Sequence, residues 1–234
     1  IKALNFNGIN DIYFSPEEVG LGNREKVSDV AKVISKMSEV AILRTFKHST
    51  IEEFSRSSSV PVINALSDRE HPCQALCDLL TIKEKTNNSL KNISITFVGD
   101  GNNVATSLAK AILTFGGTFI HSCPKGYEIP KEDLKVIEDL QKKYNGKFLI
   151  ENNLNLSVKN SDIVYTDVWA SMGQESQQNK RIEDFKNYQV NEKIIEKNNA
   201  IFMHDLPAHH GEEISENLVD HKNSVVFDQA ENRI

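Results

Sequence analysis

The sequence has 234 residues and a formal net charge of −6, with 39% hydrophobic and 26% charged residues. These values exclude a disordered chain, and no apolar run approaches the roughly 20 residues needed to cross a bilayer. The mild acidity comes without a basic block, so we expect small-molecule ligands, with neither nucleic acid nor a membrane as partner.

Short apolar runs alternate with longer helical stretches, a pattern typical of parallel α/β proteins. The predicted strands are 11–14, 41–44, 61–64, 93–98, 118–122, 162–166, 200–204 and 225–227. The predicted helices are 27–36, 51–57, 71–85, 104–115, 131–144 and 191–197.

The polar loop 86–92 separates an early group of strands from a fresh strand-turn-helix unit. We therefore predict an α/β fold of two lobes, 1–85 with a linking helix and 86–234, each a parallel sheet flanked by helices. In such folds ligands bind at the carboxyl ends of the strands, so the active site is expected in the cleft between the lobes.

The three cysteines, Cys73, Cys77 and Cys123, cannot all pair, and none belongs to a zinc-type Cys-x-x-Cys set. This usage favours a reducing, cytoplasmic location over a disulfide scaffold or a structural zinc site. Because the chain begins with Ile1 instead of Met, targeting stays open.

A His-Pro-Cys-Gln string opens the predicted helix 71–85. Pro72 suits the first helical turn, so His71 and Gln74 lie near the positive end of the helix, where an anion or a polarised carbonyl binds favourably. The alternative for His71 is a cap or a surface residue.

A Gly-Asp-Gly-Asn-Asn string at 99–103 follows a predicted strand and opens a helix. It fails the dinucleotide fingerprint, because Val104 stands where a third glycine is needed and Ser122 ends the next strand without an acidic residue. NAD binding is therefore disfavoured. The amides of Asn102 and Asn103 favour a ligand site, and a simple helix cap is the alternative.

Asp167 follows the predicted strand 162–166 and is succeeded by a loop that contains Ser171. A carboxylate at a strand end can bind an ammonium group, although Asp or Ser can also cap a helix. The polar run 173–181 is predicted as an exposed loop or mobile lid.

His204, Asp205 and Leu206 come at the end of another strand, facing the predicted cleft. The adjacent pair His209 and His210 cannot face one ion as helical i, i+4 ligands do, so a metal site is disfavoured. Arg44 and Arg233 follow predicted strands too, and two guanidinium groups can bind the oxygens of a phosphate.

Together these strings resemble those of the ornithine carbamoyltransferases. The strings are His-Pro-Cys-Gln at 71–74, Gly-Asp-Gly-Asn-Asn at 99–103, Asp-Val-Trp-Ala-Ser-Met-Gly-Gln-Glu at 167–175, His-Asp-Leu-Pro at 204–207 and Glu-Asn-Arg at 231–233. Their order and spacing fit the family over essentially the whole chain, which makes the match more specific than any single motif.

The resemblance implies transfer of a carbamoyl group from carbamoyl phosphate to the δ-amine of L-ornithine, giving L-citrulline and phosphate in arginine metabolism. The implied carbamoyl phosphate ligands are Arg44, His71, Gln74, Asp205, Leu206 and Arg233. The implied ornithine ligands are Asn103, Asp167, Ser171 and Met172. Asp205, His71 and Arg44 are the implied catalytic residues; no metal or organic cofactor is expected, and the family assembles as trimers.

Three departures from the family matter. The Ser-Thr-Arg-Thr phosphate loop and the terminal helix of the family are absent, so we expect a fragment and leave the activity of the chain by itself open. Asp205 replaces the family cysteine. Gly20 stands where relatives carry a Gln or His that reaches across a subunit interface.

Three alternatives to this function stay open, of which a generic NAD enzyme already has the failed dinucleotide fingerprint against it. Another is a sister carbamoyltransferase that uses putrescine, an acylated ornithine or aspartate, although aspartate would want a cationic pocket where Asp167 stands. The third is a paralogue that binds ornithine without turnover, which the replacement by Asp205 could mark.

Overall fold

The computed structural model describes residues 2–86, 90–171 and 173–234. Its helices are α1 (Lys2–Phe6), α2 (Pro16–Val19), α3 (Val27–Met37), α4 (His48–Ser57), α5 (Pro72–Lys85), α6 (Asn103–Thr114), α7 (Lys131–Tyr144), α8 (Leu154–Ser157), α9 (Gln178–Phe185), α10 (Glu192–Asn198) and α11 (Val226–Glu231). Its strands are β1 (Ala41–Arg44), β2 (Val62–Leu66), β3 (Ser94–Val98), β4 (Thr118–Ser122), β5 (Lys147–Ile150), β6 (Ile163–Thr166) and β7 (Ile201–His204). In this described part, every helix is too short or too polar to span a membrane.

The chain divides into two compact units. The first unit comprises Ile1–Cys73 with Arg233–Ile234, and the second comprises Gln74–Asn232. Helix α5 runs into the second unit, where its Ile82 belongs to the apolar core. The packing thus groups most of α5 with the second unit, and the domain boundary at residue 85 stays a prediction.

The first unit contains β1 and β2 as a parallel pair. Val27 and Ala31 stand one turn apart on α3, so they fall on one helix face. With Phe54 of α4 and Ala41 of β1 they form a small apolar core. This packing leaves Arg44 exposed at the carboxyl end of β1.

The second unit contains a five-stranded parallel sheet in the order β5-β4-β3-β6-β7. The central strands β3 and β6 are almost wholly buried, which agrees with their continuous apolar sequences. The strand order reverses between β3 and β6, and ligands of open α/β sheets bind at the carboxyl ends of the strands beside such a reversal. The topology therefore directs attention to the residues that follow Val98 and Thr166.

Most predicted elements are confirmed, with boundaries that agree within a few residues. Strand β5 is missing from the prediction, because it lies at the sheet edge with most of its side chains exposed. The predicted strand 11–14 is wrong. Its backbone pairs with none of the described residues, and Ile12 and Tyr13 are exposed, so neither a ladder nor burial stabilises an extended strand there.

Two further sequence predictions are corrected. The stretch 225–227 is not a strand: the one bridge to β7, from Phe202, is made by the preceding Ser224, and α11 begins at Val226, where Val226 and Gln229 form a buried helical face. Arg233 therefore follows a helix and not a strand. The run 173–181 is only partly a loop, since α9 begins at Gln178 and buries Arg181.

Candidate active site

The turn after β3 is built around Asn102. Its Oδ1 accepts a hydrogen bond from the N–H of Ala105 at 3.0 Å, which caps α6. The cap leaves the amide Nδ2 free to face the sheet edge, where it donates to Asp167 Oδ2 at 2.6 Å and to Ser171 Oγ at 3.1 Å. Asn102 thus joins the loops that follow β3 and β6.

Gly101 is required by the close approach of another segment to this turn. A Cβ atom on Gly101 would lie 2.3 Å from the backbone nitrogen of Ile129. Any side chain at residue 101 would therefore push the turn away from that segment and move Asn102 with it.

Asp167 is held in a fixed orientation. Its Oδ1 accepts a hydrogen bond from the N–H of Val168 at 2.7 Å, while Oδ2 accepts from Asn102. The residue is only 7% exposed. Each carboxylate oxygen has a second lone pair, so Asp167 can still accept hydrogen bonds from a bound ammonium group.

Asp205 lies next to Asp167 because of strand register. Thr166 of β6 pairs with His204 of β7, so the residues that follow them meet at the same sheet edge. The two carboxyl groups share a hydrogen bond, and the Asp205 side chain is 10% exposed. Burial, then the charge and hydrogen bond of Asp167, then the charge of Asp78, raise the pKa of Asp205 well above its ordinary value. Asp205 therefore keeps its proton to a higher pH than an ordinary aspartic acid does.

A buried polar network lies behind the acid pair. Asp78 Oδ1 accepts hydrogen bonds from Gln74 Nε2 at 2.8 Å and from Gln229 Nε2 at 2.7 Å. Gln229 Nε2 also donates to the Tyr165 hydroxyl at 3.0 Å, and its Oε1 accepts the N–H of His204 at 3.0 Å. This network ties α5 and α11 to the strands that carry Asp167 and Asp205.

Gln74, predicted as a carbamoyl phosphate ligand, is only 1% exposed in this network. Its Nε2 is used on Asp78, whereas its Oε1 is buried and accepts no hydrogen bond from the described residues. A buried amide oxygen without a donor is costly, so Gln74 offers an acceptor for a ligand N–H group.

The first unit brings together three of the predicted anion ligands. His71 is half-buried, and burial, then the charges of Arg233 and Arg44, lower its pKa to about 4. The imidazole is therefore neutral near pH 7 and can donate one hydrogen bond without a charge of its own. The two exposed guanidinium groups make this cluster a cationic site for an anion.

The other predicted ligands lie as follows. Leu206 is half-buried, and its N–H donates to His204 Nδ1 at 2.9 Å. Asn103 occupies the first position of α6, and its Oδ1 accepts the N–H of Val104 at 3.1 Å. Ser171 accepts from Asn102 as described above. Met172 lies outside the described residues.

Arg181 is a structural residue that sequence reasoning misplaced in a mobile loop. It is 6% exposed, and its guanidinium donates to Asp100 Oδ2 and to the Trp169 carbonyl, both at 2.8 Å. Burial raises the pKa of Asp100, and the charge of Arg181 opposes that shift. The pair fastens the loop after β3 to the loop after β6.

The residues missed from sequence are those whose role depends on distant partners. Asn102 itself was not missed, since its position before a helix predicted a ligand site or a cap, but its contact with Asp167 was. Asp78 and Gln229 had none, because they are 151 residues apart and meet only in the folded chain.

Family comparisons agree with this geometry. Residues 2–84 match the carbamoyl-P binding domain of aspartate/ornithine carbamoyltransferases, and residues 91–234 match the Asp/Orn binding domain of the same family. The ornithine carbamoyltransferase of Caldicellulosiruptor saccharolyticus is 41% identical over 99% of this chain and 76% of its own length. That of Archaeoglobus fulgidus is 42% identical over 99% of this chain and 75% of its own length.

A solved structure of the same family has the same fold. The ornithine carbamoyltransferase from Pyrococcus furiosus superimposes with a TM-score of 0.94 at 40% identity, covering 99% of this chain and 74% of that one. The present chain thus spans about three quarters of the length of these relatives. With both domain models matched and this degree of identity, the chain belongs to the aspartate/ornithine carbamoyltransferase family of enzymes.

Proposed function

We propose that this protein transfers the carbamoyl group of carbamoyl phosphate to the δ-amine of L-ornithine, giving L-citrulline and phosphate in arginine metabolism. The observation that carries the proposal is the acid pair of Asp167 and Asp205, in which Asp167 follows β6 at the strand reversal and is oriented by Asn102. Two buried carboxyl groups side by side are suited to a cationic amine and poorly suited to the carboxylates of aspartate. The relatives named ornithine carbamoyltransferase support this choice.

Carbamoyl phosphate is proposed to bind the cations of the first unit. Arg44 and Arg233 would neutralise the phosphate, while neutral His71 donates a hydrogen bond to the carbamoyl oxygen. Gln74 Oε1 would accept an N–H of the carbamoyl amide, since it accepts no hydrogen bond from the described residues. Leu206 completes the predicted ligand set through the loop that it shares with Asp205. In this assignment the domains 1–85 and 86–234 bind carbamoyl phosphate and ornithine respectively.

Ornithine is proposed to bind Asp167, Asn103, Ser171 and Met172. Asp167 would accept hydrogen bonds from an ammonium group of the substrate, and the fixed bond from Asn102 prevents that carboxylate from turning away. Preorganisation of this kind lowers the cost of binding, because the enzyme side chain is already ordered.

The proposed chemistry is direct attack. The uncharged δ-nitrogen forms a bond to the carbamoyl carbon, Arg44 and His71 stabilise the oxyanion, and the bond from carbon to the phosphate oxygen then breaks. Asp205 in its ionised form accepts the proton that the nitrogen loses. Its raised pKa makes it a stronger base than an ordinary carboxylate, which favours this role over simple charge neutralisation.

A homotrimer in the cytoplasm is the proposed state of the protein. Gly20 ends α2 with φ of +57°, and a Cβ there would lie 3.0 Å from the Cβ of Arg24. A Gln or His at residue 20 would therefore strain this turn in the conformation that Gly20 adopts. Light scattering on the full-length gene product measures the oligomer, and a monomer would contradict this proposal.

The decisive assay is citrulline formation by the full-length gene product with carbamoyl phosphate and ornithine. Parallel reactions contain putrescine, N-acetylornithine or aspartate as the acceptor. We expect turnover with ornithine and a loss of it in Asp167→Asn. Greater turnover with another acceptor would contradict the proposed substrate, and calorimetric binding of ornithine without citrulline would favour a non-catalytic paralogue.

A further inference from the structure

Glu213 lies beneath the loop 205–208, which carries Asp205 and Leu206. Its side chain is fully buried. One oxygen, Oε1, accepts hydrogen bonds from His204 Nε2 at 3.2 Å and from the N–H of His209 at 2.5 Å. These donors stand at the two ends of the loop, so a single carboxylate holds both ends together.

His204 connects Glu213 to the middle of the loop through hydrogen bonds at both of its ring nitrogens. The N–H of Leu206 donates to His204 Nδ1 at 2.9 Å, so Nδ1 carries no proton and acts as an acceptor. The ring proton is therefore on Nε2, where it is donated to Glu213. Glu213, His204 and the N–H of Leu206 form one continuous chain of hydrogen bonds.

The loop needs such support because of its backbone conformation. Leu206 has a φ of +56°, in the left-handed region that residues with side chains seldom adopt. Conformations of this kind persist where surrounding contacts determine them, and they concentrate at functional sites. The bond to His204 supplies a contact at Leu206 itself.

We propose that Glu213 is a positioning residue: by holding His204 and His209, it fixes the loop that places Asp205 against Asp167. Glu213 acts through His204 and does not touch the substrates. This inference rests on the proposed function, since it assigns Glu213 to the support of the same catalytic loop.

The test compares Glu213→Gln with Glu212→Gln in the full-length gene product. The Gln at 213 keeps the shape but removes the charge, and hydrogen bonds to charged groups contribute enough that we expect kcat to fall about 10- to 100-fold. Glu212 is a partly exposed neighbour of the same type, and its variant should keep the wild-type kcat.

The pH profile separates positioning from a purely structural effect. The groups that face Asp205 are Asp167, Asp78, Tyr165 and His204. A loosened loop admits water and lowers the pKa of Asp205, so the acidic limb of kcat/KM should move to lower pH in Glu213→Gln. A reduced kcat with an unmoved limb would mean that Glu213 only stabilises the fold, and the proposal would be wrong.

Two controls keep the test independent of folding, metal binding and the assigned reaction. Side-chain atoms of His209, Glu212 and Glu213 that could ligate a metal ion lie within 4.8 Å of one another. The wild type is therefore also assayed with EDTA, and a loss of kcat equal to that of Glu213→Gln would overturn the proposal. Nitrogen NMR of wild-type His204 should show the proton on Nε2, and a proton on Nδ1 would refute the hydrogen-bond chain. If the wild type forms no citrulline while the NMR result holds, the proposed function fails and the geometry of the loop stands.

Discussion

The side chain of Asn102 serves two purposes that substitution can separate. Its oxygen caps α6 through Ala105, and its nitrogen orients Asp167 and Ser171. Asn102→Ala removes both sets of contacts. Asn191→Ala is the matched control, because Asn191 caps α10 through the N–H of Ile194 at 3.2 Å.

The two effects have different magnitudes. Loss of a helix cap costs about 1 kcal/mol, which lowers the melting temperature of a domain of this size by roughly 2–4 °C. Loss of the bond to the Asp167 carboxylate costs about 1.5–3 kcal/mol, or roughly 10- to 100-fold in ornithine affinity. Asn102→Ala should show both losses, and Asn191→Ala only the first.

Calorimetry with ornithine and thermal unfolding measure the two quantities on the same preparations. A third variant, Asn102→Asp, keeps the cap oxygen but places a carboxylate against Asp167, so it should retain stability better than it retains affinity. If Asn102→Ala lost stability like Asn191→Ala yet bound ornithine as the wild type does, Asn102 would not orient Asp167 for binding.

Three further results are expected. Because burial raises the pKa of Asp205 in the folded protein, the free energy of unfolding of the wild type should fall as pH rises through that raised pKa. In urea unfolding, Asp205→Asn should therefore gain stability relative to the wild type from acidic to alkaline pH, and a difference that does not change with pH would contradict the raised pKa. Because the pKa of His71 is lowered on folding, its contribution to stability is complete above the ordinary pKa of 6.5 and is lost as pH falls to about 4. An NMR titration of His71 should find a pKa of about 4, and Arg233→Gln should raise this pKa only partly, since burial is the largest cause of the shift. Arg181→Met removes the cation that pairs with buried Asp100 and should cost about 3–5 kcal/mol of unfolding free energy, whereas the double variant with Asp100→Asn should recover part of that cost. A cost below about 1 kcal/mol would show that the pair is dispensable.

Local signals in the sequence were sufficient for much of the fold. The helix 131–144 and the strands 41–44 and 118–122 are found where they were predicted. The helix has a clear apolar period, and each strand is a short run of mostly apolar residues. The strands predicted at 11–14 and 225–227 were wrong, because so short an apolar run fits a strand, a helix turn or an exposed loop equally well. Such a run becomes a strand only where a neighbouring strand pairs with it, as β2 does with 41–44.

The candidate site was predicted in its parts and not in its connections. Asp167 and Asp205 stand out because each directly follows an apolar strand. Their shared hydrogen bond depends on the register between β6 and β7, for which a single strand sequence contains no signal. The raised pKa of Asp205 depends on its burial and on that contact, so the sequence could not predict the raised pKa either.

The amino-acid sequence by itself determined the α/β class and the family, and it supplied the candidate site residues, because these depend on local periodicity and on short strings of fixed spacing. The tertiary structure alone decided that Asn102 orients Asp167, that Arg181 is buried and that Glu213 supports the loop of Asp205. Such contacts join residues far apart in the chain, and their energies depend on burial and distance, which arise only when the strands pair and the helices pack.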